Sequence, residues 1–196
     1  MVTSEGRKQK PSASLQEFEE GNEMLGVVNE AGRVIGQASK GECHTRGLLH
    51  RSVFVCIFTS GSRLYLQRRA NTKMVRPGKL TASACGHVRL GESTLSAANR
   101  ELREELGIHT RLKRIGQILG PYNYDREIVT VYIGYWEGNL VPNLSEISTI
   151  EALLLTEIAS SLEDPEMNFG ETFKKVFRAF QTRLEQESVR TGPGTL

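Results

Sequence analysis

No apolar run in this 196-residue chain exceeds six residues (Val53 to Phe58), against the ~20 that a membrane-spanning helix needs. A helical membrane protein is therefore not expected, nor is a membrane partner. Cysteine is scarce: Cys43, Cys56 and Cys85 are odd in number and form no C-x-x-C pair. That usage argues against a disulfide scaffold and for a reduced, cytoplasmic setting. The single tryptophan, Trp136, and the lack of an aromatic cluster give no base-stacking platform, so no nucleic-acid partner is expected. The first fourteen residues lack the apolar stretch of a secretory signal, and Glu5 with few arginines speaks against a transit peptide. Residues 1–20 and 189–196 read as disordered tails around one domain at 21–188.

Acid is also missing, but only locally. From Cys43 through Gly91 there is no Asp or Glu, while nine cations fall in those 49 residues: Arg46, Arg51, Arg63, Arg68, Arg69, Lys73, Arg76, Lys79 and Arg89. The remainder carries 16 cations against all 23 acids. The formal charge of +2 thus conceals a basic quarter suited to an anionic ligand.

What is present reads as mixed structure. Leu25–Asn29 and Val34–Gln37 flank a turn and form a hairpin. Ser52–Phe58 and Arg63–Arg68 read as strands, and Leu80–Val88 as a further extended segment. Ile128–Trp136 alternates, with Val129, Val131, Ile133 and Tyr135 on one side. A last helix spans about Glu171 to Glu187, with Phe173, Val176, Phe177, Phe180 and Leu184 as its apolar stripe. Strands mixed with two or three helices predict a single α/β (α+β) domain.

The clearest helix is Ser93–Leu106, with Ser93 as N-cap and Gly107 as stop. On a wheel of 100° per residue, Leu95, Ala98, Leu102 and Leu106 form a core stripe, and Glu101, Glu104 and Glu105 crowd the adjoining sector. Three carboxylates on one turn repel unless a cation joins them. Read alone, the cluster is a solvated acidic face; read as a ligand set, it suits a hard divalent cation, Mg²⁺ or Mn²⁺.

The surrounding string is Gly86-x5-Glu92-x7-Arg100-Glu101-Leu102-x-Glu104-Glu105-x-Gly107-Ile108, nine defined positions in 23 residues. It resembles the signature box of Nudix hydrolases over a similarity covering about residues 24–185. The resemblance implies a Nudix α/β/α sandwich with a mixed sheet. It implies Glu101, Glu104 and Glu105 as ligands of Mg²⁺ or Mn²⁺, with Glu92 a water-mediated ligand or a support. Arg100 would orient a box carboxylate, and Gly86 and Gly107 would bend the backbone into and out of the helix. A small-molecule diphosphate would be the substrate, its charge met by Arg68, Arg69, Lys73 and Arg89. Glu105, or a loop carboxylate such as Glu146, would activate water for attack at phosphorus.

Val27-Val28-Asn29-Glu30, His44, Leu49-His50-Arg51 and Arg68-Arg69 through Pro77-Gly78 resemble the isopentenyl-diphosphate-isomerase-like branch of that family. That branch holds both isomerases and hydrolases. For an isomerase, the resemblance implies Cys85 and Glu127 as the acid–base pair on opposite faces of the substrate. It also implies a metal site drawn from His44, His50, His87, Asp125 and Glu127. Two departures favour hydrolysis. The box is intact, whereas isomerases of this type have an eroded one, and Asn168-Phe169-Gly170-Glu171-Thr172 lacks the tryptophan that shields their carbocation. Phe169 or Tyr124 would have to supply that π face. The expectation is a hydrolase of an organic diphosphate, with isomerisation the alternative and a non-catalytic nucleotide- or RNA-binding domain a third reading. The oligomeric state is left open, a homodimer among the options.

Overall fold

The computed structural model describes residues 21–73, 76–120 and 126–189. Strand β3 (His50–Phe58) runs through the middle, and eight of its nine residues are buried. Val, Phe and Ile suit a strand covered on both faces. Before it come the hairpin β1 (Met24–Val28) and β2 (Val34–Ser39), and helix α1 (Lys40–Arg46). After it come β4 (Arg63–Arg69), β5 (Leu80–Thr81), β6 (Ala84–His87), helix α2 (Thr94–Leu106), β7 (Lys113–Leu119), β8 (Glu127–Tyr135) and β9 (Ile147–Leu154). Helices α3 (Leu155–Ser161) and α4 (Glu171–Ser188) end the order.

The seven-stranded sheet runs β5-β4-β3-β8-β7, with β6 pairing β3 and β9 pairing β4. Strands β3 and β8 are parallel and the other pairs antiparallel, so the sheet is mixed. One face carries Phe54, Cys56, Val129 and Val131, and packs on Ile158, Phe173, Val176 and Phe177 of α3 and α4. The other carries Val53, Val55, Ile57 and Tyr132, and packs on Ala97, Ala98, Leu102 and Leu106 of α2. This is the α/β/α sandwich that the resemblance implies.

Helix α2 begins at Ser93, whose side chain accepts from the Ser96 amide, and stops at Gly107 with φ +67°. Leu95 departs from the expected core stripe, being 45% exposed. It lies in the first turn, and Ala97 takes the buried position. The segment Leu80–Val88 is not one strand. It breaks at Ser83, whose hydroxyl accepts from the Ile57 amide and donates to the Tyr65 carbonyl, so β5 pairs with β4 while β6 crosses to β3.

Candidate active site

Pairing register gathers the site's side chains. His50 pairs with Glu127 and Ser52 with Val129 across the parallel strands; Ser52 pairs with His87 and Phe54 with Cys85 across the antiparallel ones. Paired residues share a sheet face, so His50, Glu127, Cys85 and His87 emerge together. Helix α1 adds His44. Its N-terminus is a capping box, Ser39 with Glu42, and it ends at Gly47 in the left-handed conformation. Cys43 is buried against Leu25 and Ala38, anchoring the helix on the hairpin.

The four groups converge. His44 Nε2 lies 3.1 Å from His87 Nε2. Glu127 Oε1 is 3.5 Å from His87 Nε2 and 3.8 Å from His50 Nε2. Ligand atoms of His44, His50, His87 and Glu127 all fall within 4.8 Å of one another. The fit to a divalent cation rests on His50. Its Nδ1 bonds the Leu48 carbonyl at 2.8 Å, while its Nε2 is buried with no hydrogen-bond partner. A buried orphan lone pair is costly, and a ring fixed through its other nitrogen is how a metal-binding histidine is oriented. Burial also holds His50 below its ordinary pKa, which favours the neutral imidazole a cation needs. At Glu127 burial opposes ionisation, but the hydrogen bond and charge of His87 hold the carboxyl below the usual range.

The box carboxylates lie on the other side of β6. Glu105 accepts from Gln67 Nε2 at 2.9 Å and from the Cys85 amide at 3.0 Å. Burial and the Glu101 charge raise its pKa well above the ordinary value. Glu101 is pushed up to about 7, by burial first and against the pull of Arg100. Arg100 reaches Glu101 at 2.7 Å, Glu104 at 3.2 Å and Glu92 at 3.0 Å. Glu92 also accepts from the Arg89 amide and braces the loop. Glu101 and Glu105 are buried, which excludes a solvated face for them, while the Glu104 side chain is half exposed. Gly86 does not bend the chain; it sits in β6 without a positive φ. A Cβ there would stand 2.0 Å from Glu101 Oε1, so glycine leaves the space that this carboxylate fills.

Cys85 and Glu127 line one cavity of about 1090 Å³ with His44, His87, Glu101 and Glu105. Burial, then the Glu105 charge, pushes the Cys85 thiol up to about 12, so it stays protonated. Arg69, Lys73, Arg76, Lys79 and Arg89 line the cavity. Arg68 does not. Strand alternation puts it on the opposite face of β4 from Arg69, the face of Leu64 and Leu66, where it reaches Glu151 at 2.7 Å and the Gly78 and Met167 carbonyls. Glu146 pairs with Lys73 at 2.9 Å. Phe169 is buried in the core, and the cavity's aromatic wall is Phe54 and Phe173 instead. Asp125 and Tyr124 lie outside the described residues. Sequence reasoning missed helix α1, although Ser39-x-x-Glu42 is a capping-box signal.

The NUDIX domain family model matches residues 48–175. An isopentenyl-diphosphate Delta-isomerase 2 of Photorhabdus laumondii is 32% identical over 164 residues, covering 79% of this chain and 90% of that protein. An uncharacterized Nudix hydrolase of Streptomyces coelicolor is 44% identical over 86 residues, covering 44% of this chain and 48% of that protein. The crystal structure of DR0079 from Deinococcus radiodurans superposes with a TM-score of 0.70 at 26% identity, covering 81% of this chain and 99% of that one. Among the described residues no helix is long and apolar enough to cross a membrane.

Proposed function

This chain belongs to the Nudix family, and we propose that it is a divalent-metal-dependent isomerase of isopentenyl diphosphate. The observation that carries the reading is the convergence of His44, His50, His87 and Glu127 in the cavity that also holds Cys85. The likeness to an isopentenyl-diphosphate Delta-isomerase over 79% of the chain supports it. The intact box had favoured hydrolysis, but metal-ligand atoms within 4.8 Å of one another, among the described residues, are those of the histidine cluster.

Three imidazoles and one carboxylate suit Mn²⁺, Co²⁺ or Zn²⁺ better than Mg²⁺. A cation held there supplies positive charge that orients Glu127 and keeps it ionised. The remaining work falls to the chain. Arg69, Lys73 and Arg89 meet the diphosphate at the polar part of the cavity, while Phe54, Phe173 and Val129 wall its apolar part. Cys85, a thiol, delivers its proton to the terminal methylene carbon, leaving a tertiary cation and a thiolate. Glu127 removes a proton from the carbon one bond from the oxygen-bearing one, and the double bond moves inward. One proton is gained and one lost, so substrate and product have the same composition; proton exchange with solvent resets the pair.

The test is incubation of isopentenyl diphosphate with the protein and Mn²⁺ or Mg²⁺, with products identified by NMR. Dimethylallyl diphosphate is expected, and Cys85→Ala should abolish it. Hydrolysis is the second reading, favoured by the buried pair Glu101 and Glu105 beside the same cations. Phosphate or pyrophosphate release that survives Cys85→Ala and is lost in Glu105→Gln would replace the isomerase reading with that one.

A further inference from the structure

Ser52 stands two residues after His50 on β3, paired with His87 on one side and Val129 on the other. It lines the cavity and is only 5% exposed. Its hydroxyl has no partner at good hydrogen-bonding geometry, and the Glu127 carboxylate is the acceptor beside it. A buried hydroxyl left unpaired is unfavourable unless the working site uses it. Glu127 is the group with two tasks in that reading, since its Oε1 faces the histidines while the carboxylate also takes the substrate's proton.

Resting on the reading of His44, His50, His87 and Glu127 as a cation site, we infer that Ser52 is a positioning residue. Its hydroxyl donates to the Glu127 carboxylate and fixes which oxygen faces the cation and which faces the substrate carbon. Such partners of ligand side chains change metal affinity or activity by about 10–100-fold when removed. Ser52 touches no reacting atom and acts through Glu127.

The experiment compares wild type, Ser52→Ala and Ser52→Thr, each loaded with Co²⁺. Visible absorption reports the coordination geometry, and kcat and KM are measured on isopentenyl diphosphate. Ser52→Ala should shift the Co²⁺ spectrum and lower kcat about tenfold or more with KM within about twofold, and Ser52→Thr should restore both. The melting temperature of the metal-free protein should not fall, because there the hydroxyl makes no well-formed bond. An unchanged Co²⁺ spectrum, or a rise in KM alone, overturns the positioning role; so does a fall in melting temperature with the spectrum intact. A wild type that binds Co²⁺ without isomerising sinks the isomerase reading, and the spectrum of Ser52→Ala still decides the tether.

Discussion

His44 Nε2 stands 3.1 Å from His87 Nε2, yet the two rings come from different parts of the chain. His87 ends β6, inside the region matched by the family, while His44 rides on α1, which ends at Arg46, before that region begins at residue 48. Two imidazole nitrogens this close cannot both present lone pairs to one another at no cost. One must carry a proton, or both must face a cation. The second arrangement also satisfies the buried Nε2 of His50.

Removal of either ring should therefore cost the cation. Loss of groups that merely orient a ligand lowers metal affinity about 10–100-fold, so His44→Ala and His87→Ala should each weaken Mn²⁺ or Co²⁺ binding by at least about 100-fold in calorimetry. His109, exposed beyond the end of α2, is the control. Equal affinity in His44→Ala and His109→Ala would show that the cation binds elsewhere.

Gly86→Ala tests the space between β6 and α2. The new methyl would lie 2.0 Å from Glu101 Oε1, so the carboxylate must leave its place beside Arg100. Overpacking of this kind costs about 1–3 kcal/mol, read as a lower urea midpoint with an unchanged slope. Glu101→Ala in the same background should recover part of that loss, since it removes the clashing group. Additive losses in the double variant would mean the two residues do not meet.

The sandwich was legible in the sequence because its signals are local. Ser93 and Gly107 bracket α2, and the β3 run Val53–Phe58 is apolar enough to be buried on both faces. The box glutamates were legible as a cluster, but the burial of Glu101 was not. That depends on Gly86 lacking a Cβ, which one cannot weigh without knowing what stands opposite. Arg68 and Arg69 illustrate a second limit. Both are basic and adjacent, and only the pairing of β4 with β9 decides which one turns to Glu151. The histidine cluster was named from resemblance, whereas its convergence comes from the β3–β8 and β3–β6 registers, a long-range property that spacing along the chain does not encode.

The pH dependence of the metal-free protein should carry the mark of Glu101. Its pKa is raised to about 7 from an ordinary value near 4.5, so between these values the folded state binds more protons than the unfolded one. Stability from this group is then greatest at low pH and declines as pH rises through about 7. His50, whose pKa is lowered, works in the opposite sense, so the test is a difference. In EDTA, the stability of wild type minus that of Glu101→Gln should fall between pH 5 and pH 8, by a few kcal/mol at most. A flat difference would mean that Glu101 ionises as an exposed carboxylate does.

Arg68 and Arg69 offer the sharpest separation of binding from structure. They are neighbours on β4, so their side chains leave opposite faces of the strand. Arg69 lines the cavity, and Arg68 pairs with Glu151 at 2.7 Å, both side chains partly exposed. A hydrogen bond to a charged group contributes about 1.5–3 kcal/mol. Arg69→Met should therefore raise KM for a diphosphate substrate by about 10–150-fold with little loss of melting temperature. Arg68→Met should leave KM within about twofold and cost no more than about 1 kcal/mol of stability, the range of a partly exposed ion pair. Steady-state kinetics and thermal melts of the two variants decide it. If Arg68→Met were the one to lose substrate affinity, the assignment of Arg68 to Glu151 and away from the cavity would be wrong, and the anion site would have to be rebuilt around Glu151 rather than around the histidine cavity.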